Sequence, residues 1–593
     1  MTAKEWYEHA KVEHEALARH HEQRYNQLSW VRFILFIGVF SLIFLGFGQA
    51  LWLGGLGILV GIIVLLVFVR YHERHKRQQQ FARTKAEICF NELEFIQHHQ
   101  REGHTGVEYA PKDHPYAFDL DVVGDGSLFS FINTAQLEEG RARLAHWLLH
   151  PAQGDVLLRR QARVKALANH LDWMLTFRAL SSKLFLEQAD TKPLLQWAKA
   201  PLPAMPTWAN VVSFVLPPFF LAALIANLGG WVNALVPLGF AALHGFILSR
   251  TNKRVEQAHR QLSHIAPTLQ TYSRLLHHLE SAPFSDSVLQ DLQQPLQQPV
   301  SAGKRVKRLA RILQNLDLRL NVFGHLPLNW VFFWDIHTYR SLHHWHQQAT
   351  DHLPAWLDRL AETEALVALG NLHAHFPEWA FARMTDPEPG YQLKAAGHPL
   401  IHPDKRVDND LQLSTREIFL ITGSNMAGKS TFLRTVGLNI VLGQAGAPVC
   451  ATAAAFPLTH LITSMRTFDS VNQSASSFYA ELYQLQRVLR QVQGDPHTLF
   501  LVDEVLKGTN SADRHKGAVA LLNQLVKANA TGLITTHDLE LAEHFSAHPT
   551  VHNQSFEVEI EGEELEFDYK MQPGICHSFN ATVLMKKMGI DVA

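Results

Sequence analysis

Cysteine is scarce in this chain: Cys89, Cys450 and Cys576 are the only three in 593 residues, and they form neither a CxxC pair nor an even-numbered framework. A disulfide-stapled secreted protein is therefore excluded, and a reducing compartment fits. Net charge is equally scarce, because 53 Lys+Arg against 55 Asp+Glu leave a formal balance of -2. No global field points to nucleic acid, so any such role needs a local patch. Only 18% of residues are charged while 47% are hydrophobic. That composition excludes a disordered or collagen-like chain and suggests that part of it sits in lipid. No fixed-period repeat or low-complexity tract occurs. The length accommodates about three to five structural units.

The missing charge is concentrated in two stretches. No Asp, Glu, Lys or Arg lies between Arg32 and Arg70, nor between Lys199 and Arg250. Each gap is about twice the roughly 20 residues of one bilayer-spanning helix. We expect two transmembrane helical hairpins, at 33–70 with a turn near Gly46 to Gly55 and at 207–248 with a turn near Asn227 to Gly230. Pro217 and Pro218 would kink the third span. A buried soluble hairpin is the other reading of each stretch. A signal peptide does not fit the first, since about thirty polar residues precede too long an apolar run. Arg24, Arg32 and the cluster from Arg70 to Arg77 flank the first hairpin, and Arg250, Lys253 and Arg254 follow the second, whereas both turns are uncharged. The soluble segments and both ends are expected in the cytoplasm, which makes the chain a multi-pass protein of the inner membrane.

Elsewhere the first two thirds reads as helix, with apolar residues at three-and-four spacing. Residues 1–32 form a polar helix, 71–117 an amphipathic linker helix and loop, and 118–200 and 251–372 helical regions. From about residue 380 to 593, short apolar strands separated by Gly-bearing turns and helices mark an α/β domain. The fold class is thus multidomain, α and α/β.

The chemistry lies in that last region. Glu417 to Gly423 reads as a strand, and Gly423, Ser424, Asn425, Met426, Ala427, Gly428, Lys429, Ser430 and Thr431 then satisfy the G-x-x-x-x-G-K-[ST] phosphate loop before a helical run. Backbone N–H groups of such a loop wrap phosphates at a helix N-terminus, Lys429 reaches the β and γ phosphates of ATP, and Ser430 can ligate Mg2+. A second apolar strand, Thr498 to Glu504, ends in two carboxylates, with Asp503 placed to hold the magnesium sphere and Glu504 to polarise water. A third, Gly532 to Asp538, brings His537 to a strand end where a γ-phosphate sensor would sit, although a loop histidine is the plainer reading of that residue alone.

Together these residues resemble the MutS family of DNA mismatch repair ATPases. The loop form G-x-N-M-x-G-K-S-T, with Asn425 and Met426, is more specific than a bare phosphate loop. Ser476, Ser477, Phe478 and Glu481 resemble the family's signature segment, which in its dimers reaches the γ phosphate bound by the other subunit. Asp503 to Asp513 resembles the acidic pair and its following loop, except that Asn510 and Arg514 stand where a small hydroxyl residue and glycine are usual. The TTHD segment resembles the histidine switch, Gly397 to Ile401 the Gly-x-His-Pro opening of the domain, and the YKMQPG and SFNATVLMKKMG segments its close. Upstream, 124–167 looks like the start of the family's core helical domain, so that 118–200 is read as MutS-core-like and 251–372 as the lever helices. The resemblance implies a C-terminal P-loop ATPase of the ABC type with a mixed β-sheet, paired through its ATPase face as a homodimer. No counterpart of the mismatch-reading domain with its Phe-x-Glu wedge precedes it, and no helix-turn-helix or nuclease domain is expected after it.

One basic segment remains. Lys304, Arg305, Lys307, Arg308 and Arg311 would share one or two adjacent helix faces, open to DNA phosphates, to anionic headgroups or simply to solvent. The 36 histidines show no Cys or carboxylate cluster at ligand spacing, and most are expected as exposed helix residues. The leading functional reading is a membrane-anchored MutS-like ATPase whose ATP-driven dimer closure is coupled to double-stranded DNA, without direct mismatch reading. The alternatives are an ATP-switched membrane protein acting on a protein or lipid partner, an ABC-type transporter component lacking the LSGGQ-type signature, or a scaffold with a fossil nucleotide site.

Overall fold

The computed structural model describes residues 1–577 apart from 50, 153, 183–190, 264, 298–299, 467–476, 507–510 and 562–563. It begins with two long helices, α1 (Ala3–Gln49) and α2 (Leu51–His98), packed along each other. The expected polar helix, first span, second span and linker helix are thus two continuous rods, not four pieces. A change from polar to apolar side chains leaves the i→i−4 ladder intact, and neither helix contains a proline to break it. Phe33, Ile34, Phe36, Ile37 and Phe40 on α1, with Leu59, Val60, Ile63 and Val67 on α2, stand exposed toward the turn.

The other end of this hairpin is clamped to the helical body. Glu92, fully buried on α2, receives both Arg101 guanidinium nitrogens at 2.8 and 2.9 Å, His375 Nε2 at 2.7 Å, Asn371 Nδ2 at 2.9 Å, and Arg178. Tyr7 of α1 donates to Asn371 Oδ1 at 2.7 Å. Burial alone would raise the Glu92 carboxyl, but the two guanidiniums outweigh it and hold the group well below the ordinary carboxylate range.

The body follows with α3 (Glu138–Leu149), α4 (Gly154–Ala168), α5 (Leu171–Ser181), α6 (Thr207–Leu228), α7 (Leu235–Leu262), α8 (Ala266–Glu280), α9 (Ala302–Asp317), α10 (Val322–Phe332), α11 (Trp334–Ala349) and α12 (Leu353–His375). Among the described residues, one helix, α6, is long and apolar enough to cross a membrane, so the expectation of two hairpins and four spans is corrected to one candidate span. Its 22 residues reach about 33 Å, and the chain runs helically through Pro217 and Pro218. Its partner α7 turns charged at Arg250, leaving a charge-free part of only about 22 Å against a hydrocarbon core of roughly 30 Å.

Helix α12 is the axis of the body. It packs on α3, α4 and α5 and buries residues from Leu353 to Leu372, including Glu364, which accepts the backbone N–H groups of Gln136 and Leu137. Desolvation raises the Glu364 carboxyl from 4.5 to about 8 despite those bonds.

After α12 the strands β1 (Arg383–Thr385), β2 (Tyr391–Ala396), β3 (Asn409–Leu413), β4 (Ile418–Gly423), β5 (Ala453–Pro457), β6 (His460–Ser464), β7 (Thr498–Asp503), β8 (Thr531–Thr536), β9 (Val551–Phe556) and β10 (Met571–Pro573) build two sheets. The smaller runs β1-β5-β2-β3. The larger runs β10-β9-β4-β8-β7-β6, parallel except for β10, as a mixed sheet was expected to be. Helices α13 (Lys429–Ala445), α14 (Ser477–Gly494) and α15 (Ser511–Lys527) make its crossovers. Body and sheet share one apolar core, and Arg160 of α4 donates to Ala445 O at 2.8 Å. Asp119 accepts from Thr463 Oγ1 and Met465 N at 2.8 and 3.0 Å.

Candidate active site

All six residues of β4 are buried, as a central parallel strand covered on both faces must be. The strand delivers the chain to the carboxyl edge of the sheet, where Gly423 at φ 154° begins the loop and Gly428 at φ 104° precedes the first turn of α13. A Cβ on Gly423 would lie 2.8 Å from Phe556 O, so the close approach of β9 requires glycine there. Lys429, only 6% exposed, donates from Nζ to the Gly423 and Ser424 carbonyls at 2.8 Å each, and His537 Nε2 stands 3.4 Å from the same nitrogen. Asn425 and Met426 are exposed, Met426 in the left-handed region at φ 69°.

The acidic pair arrives on the neighbouring strands. Asp503 closes β7 and Glu504 follows at φ 59°. Thr535, opposite Asp503 in the β8–β7 register, donates from Oγ1 to Asp503 Oδ1 at 2.7 Å and accepts Glu504 N at 2.9 Å. This hydroxyl positions both carboxylate residues. Sequence reasoning used the TTHD segment only for His537, because nothing in one strand reveals which residue of the next lies beside it.

A cavity of about 470 Å³ is lined by Asn425 to Thr431 together with Asp503, Glu504, Thr535 and His537. Gly423 and Ser424 contribute through the Lys429 hydrogen bonds. Ser476 lies outside the described residues, and Ser477 opens α14 with its side chain outside them too. The segment from Lys507 to Asn510 and the closing SFNATVLMKKMG also lie outside them, while Arg514 falls in the first turn of α15.

The opposite wall was not assigned from sequence as part of a site. His398, Ile401, Arg406, Val407, Asn409 and Tyr569 line it. Burial, with Arg434 and Arg406 nearby, lowers His398 from 6.5 to about 4, so that imidazole is neutral near pH 7. Asn409 fixes the wall by donating to Tyr569 O at 3.0 Å and accepting Met571 N at 2.8 Å. Chemically, the cavity offers an ammonium and a helix N-terminus at one end and two carboxylates at its side, with a mixed apolar and polar wall across from them. The Ser430 hydroxyl and Asp503 carboxylate are hard oxygen donors on the same cavity, a donor set that fits Mg2+.

The basic segment lies on α9, whose apolar face is buried while Lys304, Lys307, Arg308 and Arg311 are exposed; Arg305 is tied to Gln348 O at 2.8 Å. Among the described residues one histidine–carboxylate group, His515, Asp538 and Glu540, has ligand spacing, and Asp538 there caps the helix Leu539–His544 by accepting Leu541 N.

Residues 419–591 match the family model of MutS domain V. The chain is 29% identical over 260 residues to a DNA mismatch repair protein MutS of Natronomonas pharaonis, covering 43% of this chain and 30% of that one. It is 32% identical over 206 residues to one from Thermotoga petrophila, covering 34% and 25%. Against one from Carboxydothermus hydrogenoformans it is 34% identical over 206 residues, covering 33% and 24%. The chain therefore spans about a quarter to a third of the length of the curated relatives it matches.

Proposed function

We propose, from a C-terminal domain similar to MutS domain V, that this chain is a membrane-anchored ATPase whose ATP-driven pairing of two copies is coupled to double-stranded DNA. One observation carries the reading: Lys429, His537, Asp503 and Glu504 converge on one cavity at the carboxyl edge of a parallel sheet. In the proposed cycle Lys429 and the loop N–H groups bind the triphosphate, while Ser430 and Asp503 would hold Mg2+, which when bound neutralises developing phosphate charge. Thr535 keeps the acidic pair in register, Glu504 orients and deprotonates water, and His537 senses the γ phosphate from beside Lys429. The wall from His398 to Asn409, with Tyr569, would receive the nucleobase.

Pairing is supported by exposed apolar side chains on the phosphate loop and on α14. Met426 is 75% exposed, and α14 presents Tyr479, Leu482 and Tyr483 to solvent. A second copy covering them would bring its Ser476 and Ser477 toward the γ phosphate. ATP then shifts the population toward the closed pair by the contacts that only that state makes. Membrane attachment rests on α6 and on the exposed apolar end of the α1–α2 hairpin. The basic face of α9 is the candidate DNA contact.

The test is ATP hydrolysis by the detergent-solubilised full chain with and without matched and mismatched duplex across a salt series, with Glu504→Gln as the blank. Stimulation by both duplexes that weakens with salt supports the DNA reading and its lack of mispair selection. A second reading is favoured by the exposed apolar surface: turnover indifferent to DNA but raised by lipid vesicles would make the partner a membrane component.

A further inference from the structure

The 15 residues from Leu320 to Trp334 carry no Asp, Glu, Lys or Arg, and the stretch is shorter than a membrane span. In the structure it forms α10 and its turn into α11. The helix has 11 residues, about 16 Å, and none of them is buried. Val322, Phe323, Leu326, Trp330 and Phe332 are exposed, Phe323 to 94%.

Its polar groups all turn the other way. His325 Nε2 lies 2.9 Å from Asp335 Oδ1, Asn329 donates to Asp335 Oδ2 at 3.0 Å and accepts Asp335 N at 3.0 Å, and Arg319 Nε completes the set at 3.3 Å. Asp335 itself is 4% exposed. A helix with satisfied polar groups inside and aromatic and aliphatic groups outside meets the condition for contact with hydrocarbon.

The helix is also fixed against the α6–α7 hairpin. Trp330 Nε1 donates to Ala241 O at 3.1 Å and His244 Nδ1 donates to Trp330 O at 2.7 Å, while Phe333, buried in a left-handed turn, packs on His244 with 4.4 Å between ring centres. Arg319, just before α10, reaches Asn252 of α7. Arg250, Lys253 and Arg254 stand exposed at that level, and Arg340 of α11 lies exposed over the Phe214 ring at 4.7 Å. Helix α10 packs on both α6 and α7, whose Phe214, Phe219 and Phe246 are likewise exposed, and the exposed cations of α7 and α11 follow as a collar.

We propose that α10 is a lipid-contacting helix that enters one leaflet beside the α6–α7 hairpin without crossing it, with the arginine and lysine collar at the level of anionic headgroups. At about half the hydrocarbon thickness it cannot span, and its base, through Arg319 and Asn252, lies level with the cations that end the charge-free part of α7. The proposal rests on the membrane reading above, and the test separates the two.

The full chain carries single added cysteines, Phe323→Cys on α10, Phe219→Cys on α6 and Gln314→Cys on the exposed face of α9. Cys89, Cys450 and Cys576 are all buried, so labelling with a polarity-sensitive fluorophore is selective. Phe323 is nearly fully exposed, so its replacement removes no packing. The labelled proteins are reconstituted in phosphatidylcholine–phosphatidylglycerol vesicles with brominated acyl chains. Severalfold quenching at positions 323 and 219, with none at 314, is expected. Quenching at 219 but not 323 overturns this proposal and leaves the membrane reading standing, whereas quenching at neither overturns both. Protection of 323 from aqueous iodide without bromolipid quenching would assign the face to a second copy and also overturn it.

Discussion

Thr535 sets the chemistry of the acidic pair through one hydroxyl, since its Oγ1 serves both Asp503 and the Glu504 N–H. Thr535→Val should leave an acceptor and a donor unpaired in a half-buried site, a loss on the order of 1–3 kcal/mol. The expected result is a higher Mg2+ requirement for ATP turnover that Thr535→Ser restores, read from magnesium titrations of steady-state hydrolysis. Glu504→Gln removes the proton acceptor but keeps the shape. Hydrolysis should fall by about 10²–10⁴ while nucleotide binding persists, and single-turnover phosphate release beside a binding titration would check both halves.

Helices carry the coupling between the parts. Glu92 joins α2 to α5 and α12 through Arg101, Arg178 and His375, with both flanking guanidiniums nearly buried. Glu92→Gln leaves those cations uncompensated, and breaking such a buried set costs about 3–5 kcal/mol. A lower melting temperature and early proteolysis at the base of the hairpin are expected, measured on the full chain in detergent. Glu364 on α12 acts in the opposite sense. Its folded carboxyl titrates near 8 against an ordinary 4.5, so between those values the folded state holds a proton that the unfolded state has lost. Stability attributable to this group falls as pH rises through that window and levels off above it. Thermal scans across the window should show the slope, and Glu364→Gln should flatten it.

At the scale of the whole molecule, one apolar core joins the body to the sheet, and α12 is in turn tied to the clamped hairpin through Asn371 and His375. The proposed DNA contact is tested at the exposed α9 cations. Replacing Lys307 or Arg308 by Gln should lower the slope of log affinity against log salt by about one for each lost phosphate contact. Filter binding over a salt series measures it, and an unchanged slope would remove α9 from the DNA interface.

By itself the sequence determined the phosphate-loop end of this protein. A phosphate loop is local chemistry: Gly423, Gly428, Lys429 and Ser430 must be near one another because they are near in the chain, and a strand ending in Asp503–Glu504 carries its carboxylates to one sheet edge by the geometry of parallel strands. The two apolar gaps were equally plain as composition. Tertiary structure alone decided the rest. Whether an apolar run is a span depends on how much of its helix stays free of charge, which separated α6 from α7, and helix continuity merged the first polar and apolar segments into two rods. Thr535 and Asp503 are 32 positions apart, and Glu92 and His375 are 283 apart, while the His398–Tyr569 wall is likewise joined across the chain. The outward face of α10 became apparent only once Asp335 drew its polar groups inward, because side-chain direction is fixed by packing partners that no local pattern names.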